Sequence, residues 1–168
     1  MAQSIAFRVT GEPVGQPRVA VRVLSPGGPG RRAITQAYYP DPKGHVKAWT
    51  RRIVAASMAC HAKPREPLVG PLCLFAEFYM PRPQYLLKPK CPDGLMPHDQ
   101  KPDLSNLIKL IEDVLEKEGW FPNDKAICSY GGSGKWYAAR GEAPGCQVRI
   151  TVLDADADAG PGLFDEAT

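Results

Sequence analysis

Residues 98 to 127 read HDQKPDLSNLIKLIEDVLEKEGWFPNDKAI, a stretch that gathers carboxylates, lysines and a histidine around one strongly helical pattern. Asp103 precedes that pattern, Asn106, Lys109 and Asp113 recur at i, i+3 and i+7 on its polar face, and Asp124 follows a short turn. Gly119 and Pro122 permit the chain to fold back after the helix, which is what Asp124 needs to reach that face. Two carboxylates converging with a lysine suit hydrolysis of a phosphodiester. Hard oxygens hold Mg²⁺, the metal polarises the phosphate and generates hydroxide, and the cation balances the pentacovalent charge. The same residues equally describe an N-cap, an exposed i,i+4 Lys109–Asp113 pair worth about 0.3 kcal/mol, and a turn aspartate. Spacing alone leaves both readings open.

The Gly131-Gly132-Ser133-Gly134-Lys135 stretch superficially suggests a phosphate-binding loop. Such a loop needs Gly five residues before Gly134 and Ser or Thr after the lysine, where this chain has Ser129 and Trp136, so a hairpin or bulge is the better reading.

Several elements must position these groups. Ile5 to Val9 and Val19 to Val23 alternate as two strands around a Gly/Pro loop, and Ser25 to Arg32 (SPGGPGRR) reads as a mobile loop. From about Asp41 to Ala62, Val46, Trp49, Ile53 and Cys60 take helical spacing, with Pro42 in the first turn. Leu72 to Met80 is a buried-type strand. Six prolines between Pro81 and Pro102 then exclude helix and central strand. Leu104, Leu107, Ile108, Ile111, Val114 and Leu115 give the strongest helix, Asp103 to Glu118, with the Asp103 carboxylate expected to cap the first turn. Strands near Ala126–Tyr130, Lys135–Ala138 and Gln147–Leu153 complete an α/β (α+β) mixture, a small mixed sheet packed against two main helices.

At 168 residues the chain makes one domain, and 34 Pro plus Gly imply long turns. The net charge of +3 conceals a division: residues 154–168 carry five acidic groups and no base, leaving residues 1–153 with 21 basic against 13 acidic groups, or +8. A basic body of that kind suits a polyanionic partner such as nucleic acid. Five cysteines without C-x-x-C spacing read as reduced thiols, and no apolar run is long enough to cross a bilayer, so a cytoplasmic protein without membrane contact is expected.

The string Lys101-Pro102-Asp103-Leu104-Ser105-Asn106-Leu107, then Lys109, Asp113 and Leu115, then Asn123-Asp124 with Ile127, closely resembles the pattern K-P-D-x-D-N-L-x-K-x-x-x-D-x-L followed by D-D-x-x-V of the RusA family of Holliday-junction resolvases. Gly11 to Arg18 (GEPVGQPR), Tyr38 to Pro40, Phe78 to Pro83 and Lys135 before Trp136-Tyr137 extend the resemblance over about residues 5 to 153. It implies a homodimer, bacterial or phage, that binds four-way or otherwise branched DNA and makes paired nicks in strands of like polarity. It implies Mg²⁺ as cofactor, with Mn²⁺ as a substitute, Asp103 and Asp124 as metal-binding catalytic carboxylates, and Lys109 as an essential lysine.

Two positions depart from the pattern: Ser105 and Asn123 each replace an aspartate. A neutral hydroxyl is a poorer Mg²⁺ ligand than a carboxylate, so cleavage is weakened unless Glu112 or Asp113 completes the site through a water. Glu112 follows Ser105 by seven residues on nearly the same helix face, about 10 Å along the axis. The alternative is a junction-binding protein that has lost efficient cleavage. Asn106 and His98 are supporting residues of the motif region. Arg18, Arg22, Arg31, Arg32 and Lys135 are the candidates for DNA-backbone contacts, and Tyr85 or Phe121 for stacking in an opened junction, with core packing the favoured role of Phe121. Residues 154–168 read as a flexible acidic tail outside the nuclease domain 1–153, where Leu163-Phe164 is a weak candidate motif for docking on a replication protein.

Overall fold

The computed structural model describes residues 4–60 and 63–153; the acidic segment with Leu163 and Phe164 lies outside them. The chain runs β1 (Ser4–Thr10), β2 (Ala20–Ser25), β3 (Ile34–Tyr38), α1 (His45–Ala59), β4 (Leu72–Met80), β5 (Met96–Pro97), α2 (Leu104–Lys117), β6 (Ile127–Ser129), β7 (Gly134–Tyr137) and β8 (Gly145–Val152). The main sheet has the order β1-β8-β4-β7-β5, with β6 also on β4. Strand β4 pairs antiparallel with β8 and parallel with β6 and β7, so the sheet is mixed, as the sequence implied.

Alternation along β4 sets the layers. Leu72, Leu74, Ala76, Phe78 and Met80 are buried, and the intervening residues are half-buried. Val148 and Ile150 of β8 and Ile5 and Val9 of β1 join the buried face. Against it pack Leu107, Ile111 and Leu115 of α2 with Trp49 and Ile53 of α1, the heptad-like spacing that made α2 legible. Phe121 is completely buried in this core, the role its sequence favoured over stacking, whereas Tyr85 is exposed.

Two local expectations change. Strands β1 and β2 do not pair with each other: β1 pairs with β8 and β2 with β3. The intervening Pro13 and Pro17 cannot donate to a ladder, and this segment runs onto α2 instead, with Gln16 N–H bonding the Asn106 carbonyl at 2.8 Å. The Ser25 to Arg32 stretch is the loop expected, and it connects β2 to β3 in a hairpin closed at its tip by the Arg31 N–H on the Gly28 carbonyl. Helix α1 starts at His45 rather than Asp41. Gly44 takes a left-handed conformation (φ 68°), and Asp41 caps from outside by accepting from the Val46 and Lys47 N–H groups.

The proline-rich stretch after β4 holds one short 3₁₀ turn, Gln84–Leu87, where no helix was expected, supplies only the edge strand β5 to the sheet, and is tethered. Arg82 donates to the carbonyls of Ala138, Pro92 and Gly94, and Arg140 to those of Leu87, Lys88 and Cys91. Two guanidinium groups thus supply the hydrogen bonds that six prolines deny this loop.

Candidate active site along the second helix

Asp103 occupies the N-cap position of α2, yet its side chain makes no capping bond. The expected cap is therefore absent, and the carboxylate faces solvent and Arg18, whose Nη2 lies 3.7 Å from Oδ2. The segment leading to it is held from β7. The Lys135 ammonium donates to the Gln100 carbonyl and, at 2.7 Å, to the Pro102 carbonyl, while His98 N–H bonds the Lys135 carbonyl. Lys135, expected at DNA phosphates, is thus committed to the chain immediately before Asp103.

Further along α2, Lys109 stands between two carboxylates, with Nζ 3.3 Å from Asp113 and 3.7 Å from Asp124. The fold-back after Gly119 does bring Asp124 to the polar face of the helix. Asn123 secures that turn by accepting from the Lys125 N–H at 3.1 Å. The hydrogen bond to Asp113, with the charges of Asp113, Glu112 and Asp124, raises the Lys109 pKa above its ordinary value, so it remains an ammonium at any pH near neutrality.

The two acids that could replace the carboxylate missing at Ser105 differ. Asp113 accepts from Gln16 Nε2 at 2.7 Å and pairs with Lys109, which fastens the 11–19 segment to α2. Glu112 is buried and accepts from the Tyr130 hydroxyl at 2.7 Å. That bond, with burial, pushes the Tyr130 pKa up to about 12, so the hydroxyl stays a donor. Ser105, Lys109, Glu112 and Tyr130 border one cavity of about 690 Å³, closed by the Gly131–Ser133 turn. Glu112 is therefore the acid on the Ser105 side, and Asp113 faces away. Tyr130 and Gln16 carried no sequence signal for these roles, because their partners lie 18 and 97 residues away.

His98 is buried rather than exposed, its ring 4.5 Å from that of Tyr137. Burial and the nearby Lys135 charge lower its pKa, so the imidazole is neutral at pH 7. Arg22 lies on the hairpin arm, bonded to Gln36 Oε1 and stacked over Tyr38, and Arg31 and Arg32 are exposed at its tip. Asn106 lies in the first turn of α2, its backbone joined to Gln16.

With this geometry, the comparison with protein families is decisive: the model described as Endodeoxyribonuclease RusA matches residues 10–151. The chain belongs to the RusA endodeoxyribonuclease family. It is a structure-specific nuclease of a family that acts on Holliday junctions, and its mixed sheet and two helices are the RusA-type fold. No curated protein is significantly similar to it in sequence. Among the described residues, no helix is long and apolar enough to cross a membrane. Nor do any three His, Cys, Asp or Glu side chains converge to hold a metal among them. The Asp103 and Asp124 carboxylates are hard oxygen donors of the kind that suits Mg²⁺ or Mn²⁺.

Proposed function

We propose that this RusA protein is a divalent-metal-dependent resolvase that nicks branched DNA in pairs as a homodimer in the cytoplasm of a bacterium or phage-infected cell. The observation that carries the reading is Lys109 poised against Asp124 on the same helix whose N-cap is the uncapped, solvent-facing Asp103. Asp103 and Asp124 would hold Mg²⁺ or Mn²⁺, which when bound supplies Lewis acidity to the phosphodiester and to water. Lys109, held charged, stabilises the negative charge that develops on the phosphate. Arg18 at the rim and Arg22, Arg31 and Arg32 along the arm bind the DNA backbone without reading sequence. Lys135 serves Asp103 by fixing the loop before it, and Asn106 and Asp113 brace the 11–19 segment. Glu112, on the Ser105 side, supports the metal's water shell.

The arm supports the homodimer. Of the eleven residues in β2 and β3 only Ala20 is even half-buried, and Val19, Val21, Val23, Leu24, Ile34, Tyr38 and Tyr39, in or beside them, expose from 41% (Tyr38) to 66% (Val21) of their surfaces. A lone two-stranded ribbon is marginal in water. Val21 and Val23 of β2 and Ala37 of β3 share the ribbon face opposite Arg22, and a second copy of this arm meets that uncharged face without repulsion. Paired nicking needs two sites related by a two-fold axis, which that pairing provides.

A synthetic four-way junction incubated with and without Mg²⁺ tests the reading. Paired nicks that need the metal and vanish in Asp103→Asn are expected. The rival reading, junction binding with little cleavage, is favoured by the serine at 105 and the absence of a third converging carboxylate among the described residues. Tight binding without nicks, together with nicking restored by Ser105→Asp, would establish it.

A further inference from the structure

A cavity of about 660 Å³ opens beside Asp103, and neither the carboxylates nor Lys109 account for it. Residues 12–18 roof it, Asn106 of α2 lies at its floor, and Met80 and Pro81 at the end of β4 with His98 form the far wall. Pro13, Pro17, Pro81 and Pro102 line it with Met80, giving flat, rigid, apolar surfaces. Its polar groups are Glu12, Gln16, His45, His98, Asn106 and Asp103, with the cations Arg18 and Lys101.

The cavity is built into the fold. A Cβ on Gly15 would stand 3.1 Å from Pro102 Cβ and 3.2 Å from Asn106 Cβ, so a larger residue would have to push the roof a few tenths of an ångström off α2. Gln16 then locks it, through its N–H to the Asn106 carbonyl at 2.8 Å and its side chain to Asp113 at 2.7 Å. His98, 9% exposed, has a buried Nδ1 without a hydrogen-bond partner, in a wall where an unsatisfied ring nitrogen is costly.

We propose that this cavity receives one unstacked nucleotide of the strand being cut, its base between the proline walls and its phosphate at Arg18 and Lys101 beside Asp103. The inference rests on the reading of Asp103 as part of the nuclease site. A phosphate alone would need only the cations; proline walls interspersed with hydrogen-bonding side chains, in a volume within the usual ligand-pocket range, fit a flat heterocycle with polar edges. Extruding a base is easiest where it is already poorly stacked, which is the condition at a branch point. The pocket would then contribute to choosing which phosphodiester near the crossover lies against Asp103.

The experiment places 2-aminopurine singly at each position around the crossover of a synthetic four-way junction, with the protein saturating and no divalent metal present. One position flanking the nick should brighten several-fold on binding, and Val14→Trp, which fills the cavity, should abolish that rise at saturating protein. Independently of any variant, an abasic residue at that position should lower the nicking rate by the wild-type protein at least tenfold. A wild-type protein that nicks with no position brightening, or with the abasic junction cut at the normal rate, overturns the pocket and leaves the nuclease reading intact. A protein that neither binds nor nicks the junction overturns the nuclease reading itself.

Discussion

Beneath α2, Leu107, Ile111 and Leu115 are completely buried, whereas Val21, Val23 and Ile34 on the β2–β3 arm keep 60 to 66% of their surface exposed. Both regions are rich in aliphatic residues. The difference lies in what surrounds them: α2 lies on the six-stranded sheet, and the arm pairs only with itself. The platform's stability is therefore internal to one chain, while the arm's apolar surface has to be covered from outside it. The catalytic candidates follow the same division. Asp103, Lys109 and Asp124 sit on the platform, and three of the four arginines proposed for DNA sit on the arm.

That contrast yields predictions of decreasing size. Lys109→Met should lower junction nicking by about 10²-fold or more, the scale of losing one preorganised transition-state contact, with little change in binding by gel shift. Normal nicking by that variant would remove the lysine from the chemistry. Ile111→Ala should destabilise the platform by about 2–5 kcal/mol in urea unfolding, because it leaves a cavity under α2. The double variant Val21→Asp, Val23→Asp should do the converse, shifting sedimentation from dimer to monomer while a heat-unfolding midpoint of the body moves little. If the arm variant unfolds the whole protein, the independence of the two regions is wrong.

Smaller effects separate positioning from contact. Lys135→Met should reduce nicking yet leave the salt slope of junction binding unchanged, because its ammonium serves the Gln100 and Pro102 carbonyls; Arg31→Ala should reduce that slope by about 1. For His98, whose folded pKa lies below its unfolded value near 6.5, the unfolded chain binds the proton more readily. Its contribution is thus intact above about pH 6.5 and is lost as pH falls through the lower folded value. Removing that slope in urea titrations should be the effect of His98→Gln; a slope unchanged by the substitution would show that another group carries it.

Much of this molecule was legible in its sequence because local periodicity and burial agree. The apolar spacing of α2 and the alternation of β4 each define a face, and each face is buried where expected. The charge division and the motif from Lys101 to Asp124 likewise pointed to a phosphodiester and to the family. Less legible were features set by partners distant in the chain. Val19 to Val23 read as a strand, but its partner β3, ITQAY beyond the Gly/Pro loop, is five residues long and lacks a strict apolar/polar alternation. Asp103 read as a cap, but the tertiary structure turns its carboxylate toward Arg18.

What the sequence determined alone was the inventory: which residues could form a core, which carboxylates could hold a metal, and where one was missing at Ser105. Only the tertiary structure decided their use. It set Lys109 against Asp124, committed Lys135 to the backbone and Asp113 to Gln16, placed Glu112 with Tyr130 on the Ser105 side, and built a close-fitting roof over the cavity beside Asp103. The physical reason is that side-chain hydrogen bonds and ion pairs act over a few ångströms, and which groups come that close depends on the packing of the sheet and helices rather than on their separation along the chain.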